Sequence, residues 1–138
     1  EERKTRKNVR VILKNRGISK KVLDDFKVFQ RAELDRLSIL LMRKGKLENI
    51  KYRGLFDKAF KQTQGAKPYL YNYDNVFDKE TLIFVEGEID VLSLAEIGLD
   101  ATSLPNGAPK EAKFNEKDAR FTPLVNCPLE ATKIVYYR

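Results

Sequence analysis

Apolar residues at helical spacing mark the beginning of the chain. Val22, Leu23 and Phe26 share one face of a helix that Ser19 can cap through its hydroxyl group. Residues 3–15 form a basic segment with the same spacing. The pattern therefore predicts two short helices in this part of the chain.

The next part of the chain has the pattern of β-strands. Leu37–Met42 is an apolar run, Arg43–Lys46 has the composition of a turn, and Leu47–Tyr52 alternates as a partner strand does. These three segments predict a β-hairpin. We expect residues 54–67, which are polar and basic, to be irregular or partly helical, and Tyr69–Tyr73 to be a short strand.

The clearest predicted element is a strand over Thr81–Val85. Its continuous apolar run is typical of a strand that is buried on both faces of a parallel sheet. Apolar residues then recur mainly at helical spacing as far as Ile97, and Gly98 is suited to ending that helix. Ala101–Leu104 and Ile134–Tyr137 have the pattern of two further strands, with a helix and loops between them.

The order strand–helix–strand predicts an α/β fold with a short parallel sheet and flanking helices. We place this sheet in residues 79–138. Residues 1–78 are expected to form a smaller, basic α+β lobe made of helices and the β-hairpin.

Composition narrows the classes of function. The 138 residues suffice for one domain or for two small lobes that share a core. No apolar stretch approaches the roughly 20 residues of a membrane span, and the first residues do not have the pattern of a secretory signal. The single cysteine, Cys127, excludes a disulfide framework, and the lack of histidine excludes Ser-His-Asp catalysis and His-ligated zinc. We expect an intracellular protein without a membrane partner.

Charge divides the chain into a basic and an acidic half. Residues 1–67 contain 20 Lys and Arg against 8 Asp and Glu, whereas residues 68–138 contain 7 against 12. A basic half favours a polyanionic partner, and an acidic half favours a metal or acid–base site. The alternative is a solvated, lysine-rich surface with no partner.

Three acidic side chains follow the predicted strand Thr81–Val85. Glu86 comes where the strand ends, and ligands bind beyond the carboxyl ends of the strands in open α/β sheets. Gly87 allows the backbone to turn sharply or to approach a ligand, and Asp90 returns to the same edge after one helical turn. Glu86, Glu88 and Asp90 could together hold a hard divalent cation. Alternatively, Glu88 and Asp90 only offset the positive end of the helix dipole.

Two further features offer contacts to phosphates and bases. The loop after Ala101–Leu104 contains Asn106 and Gly107, whose N–H groups can approach a phosphate, although an ordinary turn has the same composition. Basic and aromatic residues are interleaved elsewhere, which suits phosphates and unpaired bases unless the aromatic side chains pack between the lobes. The basic ones are Lys51, Arg53, Lys58, Lys61 and Lys67, and the aromatic ones are Tyr52, Phe56, Phe60, Tyr69 and Tyr71.

Thr81–Asp90 resembles the first motif of the Toprim domain, in which a hydrophobic strand is followed by Glu-Gly, two residues and Asp. This domain occurs in DnaG-type primases, in topoisomerases of types IA and II, and in some nucleases and recombination proteins. The continuation Leu92–Pro109 is similar to phage-type primase–helicases and to the Twinkle-like group, and so are residues 17–28. The resemblance covers roughly residues 15–109.

The resemblance implies roles for particular residues. Glu86 matches the catalytic, metal-associated glutamate of the family, and Asp90 matches the second acid of the motif. The positions expected to face DNA or nucleotide, or to form the loop beside the active site, are matched by Lys51, Arg53, Lys67, Asn106 and Gly107.

The resemblance also implies an activity. It is that of a DNA primase, a nucleotidyltransferase that joins ribonucleoside triphosphates into RNA primers on single-stranded DNA during replication. Mg²⁺ or Mn²⁺ would be the cofactor, and a helicase domain in a longer parent chain would be a partner. The expected setting is the cytoplasm, in the bacterial nucleoid or a phage-infected cell.

One departure from the family bears on this activity. Toprim domains carry an Asp-x-Asp pair that binds magnesium, and this pair occurs nowhere in the 138 residues. A zinc ribbon and a Walker-type helicase motif are also missing. We therefore expect either a fragment cut inside the Toprim fold or a degenerate site.

Two alternatives to a primase follow from the same resemblance. The first is a non-catalytic DNA-binding module of a Twinkle-like helicase. The second is a Toprim nuclease or topoisomerase. A topoisomerase would need a nucleophilic tyrosine, and the strand position of Tyr136 and Tyr137 favours packing instead.

Overall fold

The computed structural model describes residues 16–31, 36–54, 60–62, 69–104 and 122–137. The described helices are α1 (Lys20–Asp25), α2 (Tyr73–Val76), α3 (Glu88–Glu96) and α4 (Thr122–Asn126). The described strands are β1 (Phe29–Arg31), β2 (Arg36–Arg43), β3 (Lys46–Gly54), β4 (Phe60–Gln62), β5 (Thr81–Val85), β6 (Ala101–Ser103) and β7 (Lys133–Tyr136). The helix predicted over residues 3–15 lies outside the described residues. None of the described helices is long and apolar enough to cross a membrane.

The first sheet is antiparallel and has the strand order β1-β2-β3-β4. Its centre is the hairpin of β2 and β3, which turns at Lys44 and Gly45 with φ angles of 51° and 74°. Such angles suit the two-residue turns whose twist matches that of a hairpin. The hairpin prediction is confirmed, while β1 and β4 enlarge the sheet beyond it. β4 also corrects the expectation of irregular or helical structure for residues 60–62.

A β-bulge changes which face of β3 is turned inward. Near the turn Met42 pairs with Leu47, but the register shifts between Leu41 and Met42. As a result Ile39 pairs with Lys51 instead of with the preceding residue. Because side chains alternate along a strand, the extra residue turns a set of polar side chains toward the core side of the sheet.

The second sheet is parallel and has the strand order β6-β5-β7. The central strand β5 pairs Val85 with Ser103 of β6 and Phe84 with Tyr136 of β7. α3 connects β5 to β6 and is followed by Gly98, whose φ angle of 82° lies in the left-handed region. The predicted strand–helix–strand unit and the α/β fold class are confirmed.

Apolar side chains from both sheets share the core. Ile39 and Leu41 of β2 pack in one cluster with Val85 of β5 and Val91 of α3. A neighbouring cluster joins α1 to α3 through Val22 and other apolar side chains. The antiparallel sheet therefore packs against the helix of the parallel unit, while the boundary that we predict at residue 78 stays a prediction.

The segment Tyr69–Tyr73 does not form the strand that its sequence indicates. The Tyr71 N–H donates to the Ser103 carbonyl, and the Thr102 hydroxyl donates to the Tyr71 carbonyl at 2.6 Å. Asn72 then adopts a left-handed conformation with a φ angle of 61°, and the chain turns into α2. Tyr69 and Tyr71 are buried, which favours packing between the lobes over base stacking for these two rings.

Candidate active site

Glu86 lies where the central strand of the parallel sheet ends. Its side chain is exposed, and the Tyr136 hydroxyl donates to its Oε1 atom at 3.4 Å. The contact follows from the register, because Tyr136 pairs with Phe84, two residues before Glu86 on the same face of β5. The structure thus places the predicted carboxylate at the edge where ligands bind in such sheets.

The two tyrosines at the end of β7 are more open than their strand position indicates. Tyr136 is 46% exposed and Tyr137 is 53% exposed, which corrects the expectation that they are packed. The Tyr137 N–H nevertheless donates to the Phe84 carbonyl at 2.9 Å, so the backbone here is held against β5.

The other two acids of the motif have different surroundings. α3 begins at Glu88, and its first turn contains both Glu88 and Asp90, whose negative charges favour a helix N-terminus. Asp90 is exposed, whereas Glu88 is only 2% exposed. Glu86, Glu88 and Asp90 therefore do not form one open cluster of carboxylates.

Glu88 forms a buried ion pair with Lys51. The Lys51 Nζ atom lies 2.8 Å from the Glu88 Oε1 atom, and each side chain is 3% exposed. Lys51 reaches α3 because the bulge places it opposite Ile39, on the face of the sheet that packs against the helix. The contact between Lys51 and DNA stays a prediction. In the structure, the ammonium group of Lys51 is paired with the carboxylate of Glu88.

Arg53 lies on the same face of β3, two residues beyond Lys51, and is half-buried. Burial lowers the pKa of its guanidinium, and the nearby positive charge of Arg16 lowers it further. The negative charges of Glu88 and Asp90 act in the opposite direction on this pKa. The charges of both acids of α3 therefore act on Arg53, which links the basic strand electrostatically to the acidic motif.

Tyr71, which the sequence predicts either to stack on bases or to pack between the lobes, interacts electrostatically with Glu88. Burial raises the pKa of its phenol, and the negative charge of Glu88 raises it further. Within the described part of the chain, no group forms a hydrogen bond with the Tyr71 hydroxyl, which is itself buried. The aromatic ring of Tyr71 is typical of a core residue. Only the fold brings its hydroxyl group close enough for the charge of Glu88 to act on it.

The chain bends at Glu86 and Gly87, as the sequence indicates, but the bend does not require a glycine. The φ angle of −146° and ψ angle of 169° of Gly87 are extended, so other residues could adopt this conformation. A Cβ atom added at Gly87 would meet no atom of the described residues within 4 Å. The bend therefore does not depend on the conformational freedom of glycine, and what glycine leaves, among the described residues, is open space next to Glu86.

The described carboxylates only partly fit a magnesium ion. No group of three His, Cys, Asp or Glu residues that could hold a metal occurs among the residues the structure describes. Glu86 and Asp90 are the exposed acids of the motif, whereas Glu88 is engaged by Lys51. Mg²⁺ commonly binds one or two carboxylates together with water and phosphate oxygens, so these two acids fall short of a complete protein site.

Three predicted site residues, Lys67, Asn106 and Gly107, lie outside the described residues. The segment with Asn106 and Gly107 follows β6, whose Ser103 pairs with Val85 of β5. Because β5 and β6 are parallel, β6 ends at the same edge of the sheet as β5, where Glu86 lies.

Two relatives are similar in sequence to this chain. A Twinkle homolog protein of Arabidopsis thaliana, named as chloroplastic/mitochondrial, is 37% identical over 120 residues, which are 81% of this chain. A primase homolog protein of the same plant is 35% identical over 120 residues, again 81% of this chain. The matched region spans 17% and 35% of the two relatives, respectively. No protein-family model matches the chain.

Solved structures of primases have a similar fold. The primase fragment of the bacteriophage T7 primase–helicase has a TM-score of 0.61 and 20% identity, covering 91% of this chain and 62% of that one. A DnaG primase catalytic domain bound to single-stranded DNA has a TM-score of 0.61 and 14% identity, covering 93% and 54%. The resemblance to DnaG-type primases and Twinkle-like proteins is thus confirmed, and the chain has the fold of a primase catalytic core.

Proposed function

We propose that this chain, which shares its fold with primase catalytic cores, is the part of a primase that holds single-stranded DNA and carries the first acidic motif of the active site. One observation supports this most directly. Glu86 is exposed at the carboxyl end of the central parallel strand, where that fold places its ligands. The relatives named as a primase homolog and a Twinkle homolog agree with a primase segment of a longer primase–helicase.

The proposed reaction is the joining of ribonucleoside triphosphates into an RNA primer on single-stranded DNA. In this proposal Glu86 is the catalytic residue, and Asp90 supports it from the first turn of α3. The Tyr136 hydroxyl fixes the direction of the Glu86 carboxylate through their 3.4 Å contact. The open space at Gly87 lets a substrate come close to this carboxylate.

Mg²⁺ or Mn²⁺ belongs to the proposal as a cofactor of the complete protein. Glu86 and Asp90 are the residues of this chain that would contribute to the metal site. When bound, the ion would neutralise negative charge on the triphosphate. The phosphates and further donors would complete the coordination.

The proposed partners follow from the charge of the chain. The basic half would hold the template by its phosphates with little reading of the bases. Arg53 and Lys67 are its proposed contacts, and Asn106 and Gly107 would form the loop beside Glu86. Lys51 contributes through its buried ion pair with Glu88.

The wider context belongs to the same proposal. We place a helicase domain in the same longer protein and the protein in a compartment where DNA replicates. The cytoplasm that the sequence indicates stays a prediction, and imaging a fluorescent fusion of the full-length protein checks it.

Binding to a short single-stranded DNA across a salt series tests the first half of the proposal. We expect the logarithm of the binding constant to fall linearly with the logarithm of salt concentration, with a slope of several units, because bound phosphates release counterions. Lack of binding even at low salt would show that the basic half is only a solvated surface.

The catalytic half is tested in the full-length protein with Glu86→Gln. This variant removes the charge but keeps the shape of the side chain, so we expect primer synthesis to be abolished and DNA binding to be retained. The exposed Glu48→Gln, on β3, is the matched control. Primer synthesis that survives Glu86→Gln would remove Glu86 from the chemistry.

A second candidate function is a non-catalytic DNA-binding module of a Twinkle-like helicase. It is favoured by the small number of open acids, since only Glu86 and Asp90 of the motif are exposed. DNA binding without primer synthesis by the wild-type full-length protein would identify this function.

A further inference from the structure

The buried ion pair between Lys51 and Glu88 joins the antiparallel sheet to α3. Lys51 belongs to the antiparallel sheet, and Glu88 begins the helix that follows the candidate catalytic Glu86. Their charged atoms are 2.8 Å apart, and both side chains are 97% buried, as their 3% exposure shows.

Burial of an ion pair is weak evidence for a role in stability. Removing two charges from water costs free energy that their attraction only partly returns, and well-packed apolar side chains often stabilise the same position better. Ile39 lies opposite Lys51 in the sheet and Val91 follows Glu88 by three residues on α3, and both belong to a buried apolar cluster that could pack against apolar replacements. A role in positioning explains the pair where stability alone does not.

The β-bulge at Leu41 and Met42 points to the same role. Without the shift, the register seen at Met42 and Leu47 would place Ile50 opposite Ile39 and turn Lys51 to the other face. The bulge instead turns Lys51 and Arg53 toward α3. Bulges that re-aim side chains occur preferentially next to active sites.

We propose that Lys51 is a positioning residue, which acts through Glu88 to fix the Glu86–Gly87 corner relative to Arg53. The ion pair anchors the first residue of α3 to the middle of β3. Glu86 and Gly87 immediately precede Glu88 in the chain, and Arg53 follows Lys51 by two residues on β3. A shift of the anchor would therefore move the candidate catalytic carboxylate and the basic side chain relative to each other. The catalytic part of this inference rests on the proposed primase function.

The decisive variant replaces both partners with apolar side chains, Lys51→Met together with Glu88→Leu. It removes the pair without leaving a lone buried charge, so we expect the chain to stay folded. The matched control is Lys46→Met together with Glu48→Leu, which removes one charge of each sign from exposed positions of the same strand.

Two measurements separate positioning from stability. In the 138-residue chain, the NMR chemical shift of the side-chain carboxyl carbon of Glu86, which is not adjacent to a substituted residue, should move in the double variant and stay unchanged in the control. In the full-length protein, kcat for primer synthesis should fall by about tenfold or more, while Kd for single-stranded DNA changes by less than about twofold, as expected for misplaced reacting groups. A folded double variant with an unchanged Glu86 shift and unchanged kcat would overturn the proposal.

A further variant covers the case in which the double variant does not fold. Lys51→Arg keeps a positive charge but has a larger, planar head group, so it should fold and displace the NMR signals of the Gly87 amide and the Glu86 carboxyl carbon. If Lys51→Arg folds and leaves the Gly87 and Glu86 signals and kcat unchanged, the geometry of the ion pair does not affect the site and the proposal is wrong. If the wild-type full-length protein makes no primers, the primase proposal fails, and the NMR shifts alone decide the positioning role.

Discussion

The Glu96 carboxylate joins two helices at the surface. The Ser19 N–H, at the beginning of α1, donates to its Oε2 atom at 2.9 Å. This hydrogen bond from the Ser19 backbone lowers the pKa of Glu96 below its usual value. A negative charge at the N-terminus of α1 is also favoured by the helix dipole. A single exposed side chain therefore helps to hold α1 against α3.

Replacing Glu96 with Gln should lower Tm at neutral pH by a small amount. A lowered pKa in the folded state means that the carboxylate stabilises the fold above its unfolded pKa, and that this contribution disappears as pH falls through the folded pKa. The difference in Tm between wild type and variant should thus shrink below about pH 4. Thermal unfolding followed by circular dichroism between pH 3 and 7 measures it. A Tm difference that stays constant over this range would contradict a role for the charge.

Gly87→Ala should separate folding from activity. Alanine can adopt the extended conformation of Gly87, and its Cβ atom would enter open space, so we expect an unchanged Tm. If substrate occupies that space, primer synthesis by the full-length protein should fall about tenfold, because small misplacements at a reacting centre are costly. Gly98→Ala is the contrasting control, since its φ angle of 82° strains alanine and should lower Tm instead. Full activity of Gly87→Ala would show that the space is not used.

The hairpin of β2 and β3 is held to α2 by one side chain. The two carboxylate oxygens of Asp74 accept hydrogen bonds from the Lys44 and Gly45 N–H groups at 2.6 and 2.9 Å. Asp74→Ala should lower the free energy of unfolding by about 1 kcal/mol, because it leaves both turn donors to water. Denaturant unfolding measures the change, with the exposed Asp78→Ala as a control. Equal stabilities of the two variants would mean that these bonds contribute nothing.

Helices and strands that depend on neighbouring residues of the chain could be predicted from the sequence, whereas features that depend on contacts between distant residues could not. The strand Thr81–Val85 and the helix after it were predictable, because continuous and helical apolar spacings are local signals. The inward orientation of Lys51 was not, since it depends on a one-residue bulge that reverses the faces of β3. α2 was missed for a related reason, because Asn72 turns the chain only where tertiary contacts hold it.

In the candidate site, the position of Glu86 could be predicted from the sequence, whereas the contacts around it could not. Glu86 could be placed at the sheet edge, because the end of a buried parallel strand is visible in the sequence. Its contact with Tyr136 was not predictable, since it needs the register between strands 50 residues apart in the chain. The assignment of Glu88 to a buried pair likewise required knowing which strand packs on α3.

At the scale of the whole molecule, the two sheets should unfold together. Ile39 is fully buried in a cluster that also contains Val85 of the parallel sheet and Val91 of α3. Ile39→Ala should therefore lower the free energy of unfolding by about 2–4 kcal/mol, through lost apolar burial and the cavity left behind.

Hydrogen exchange reveals how far this destabilisation spreads. If the core is one cooperative unit, amides of β5 lose protection in Ile39→Ala by the same factor as amides of β2, although the substitution lies only in β2. Leu47→Ala, at a side chain that is 50% exposed, should leave both sets unchanged. Loss of protection confined to β2 and its neighbours would show that the antiparallel sheet opens alone. The Lys51–Glu88 pair would then join two independently stable parts, and the position of Glu86 relative to Arg53 would depend on that pair even more strongly.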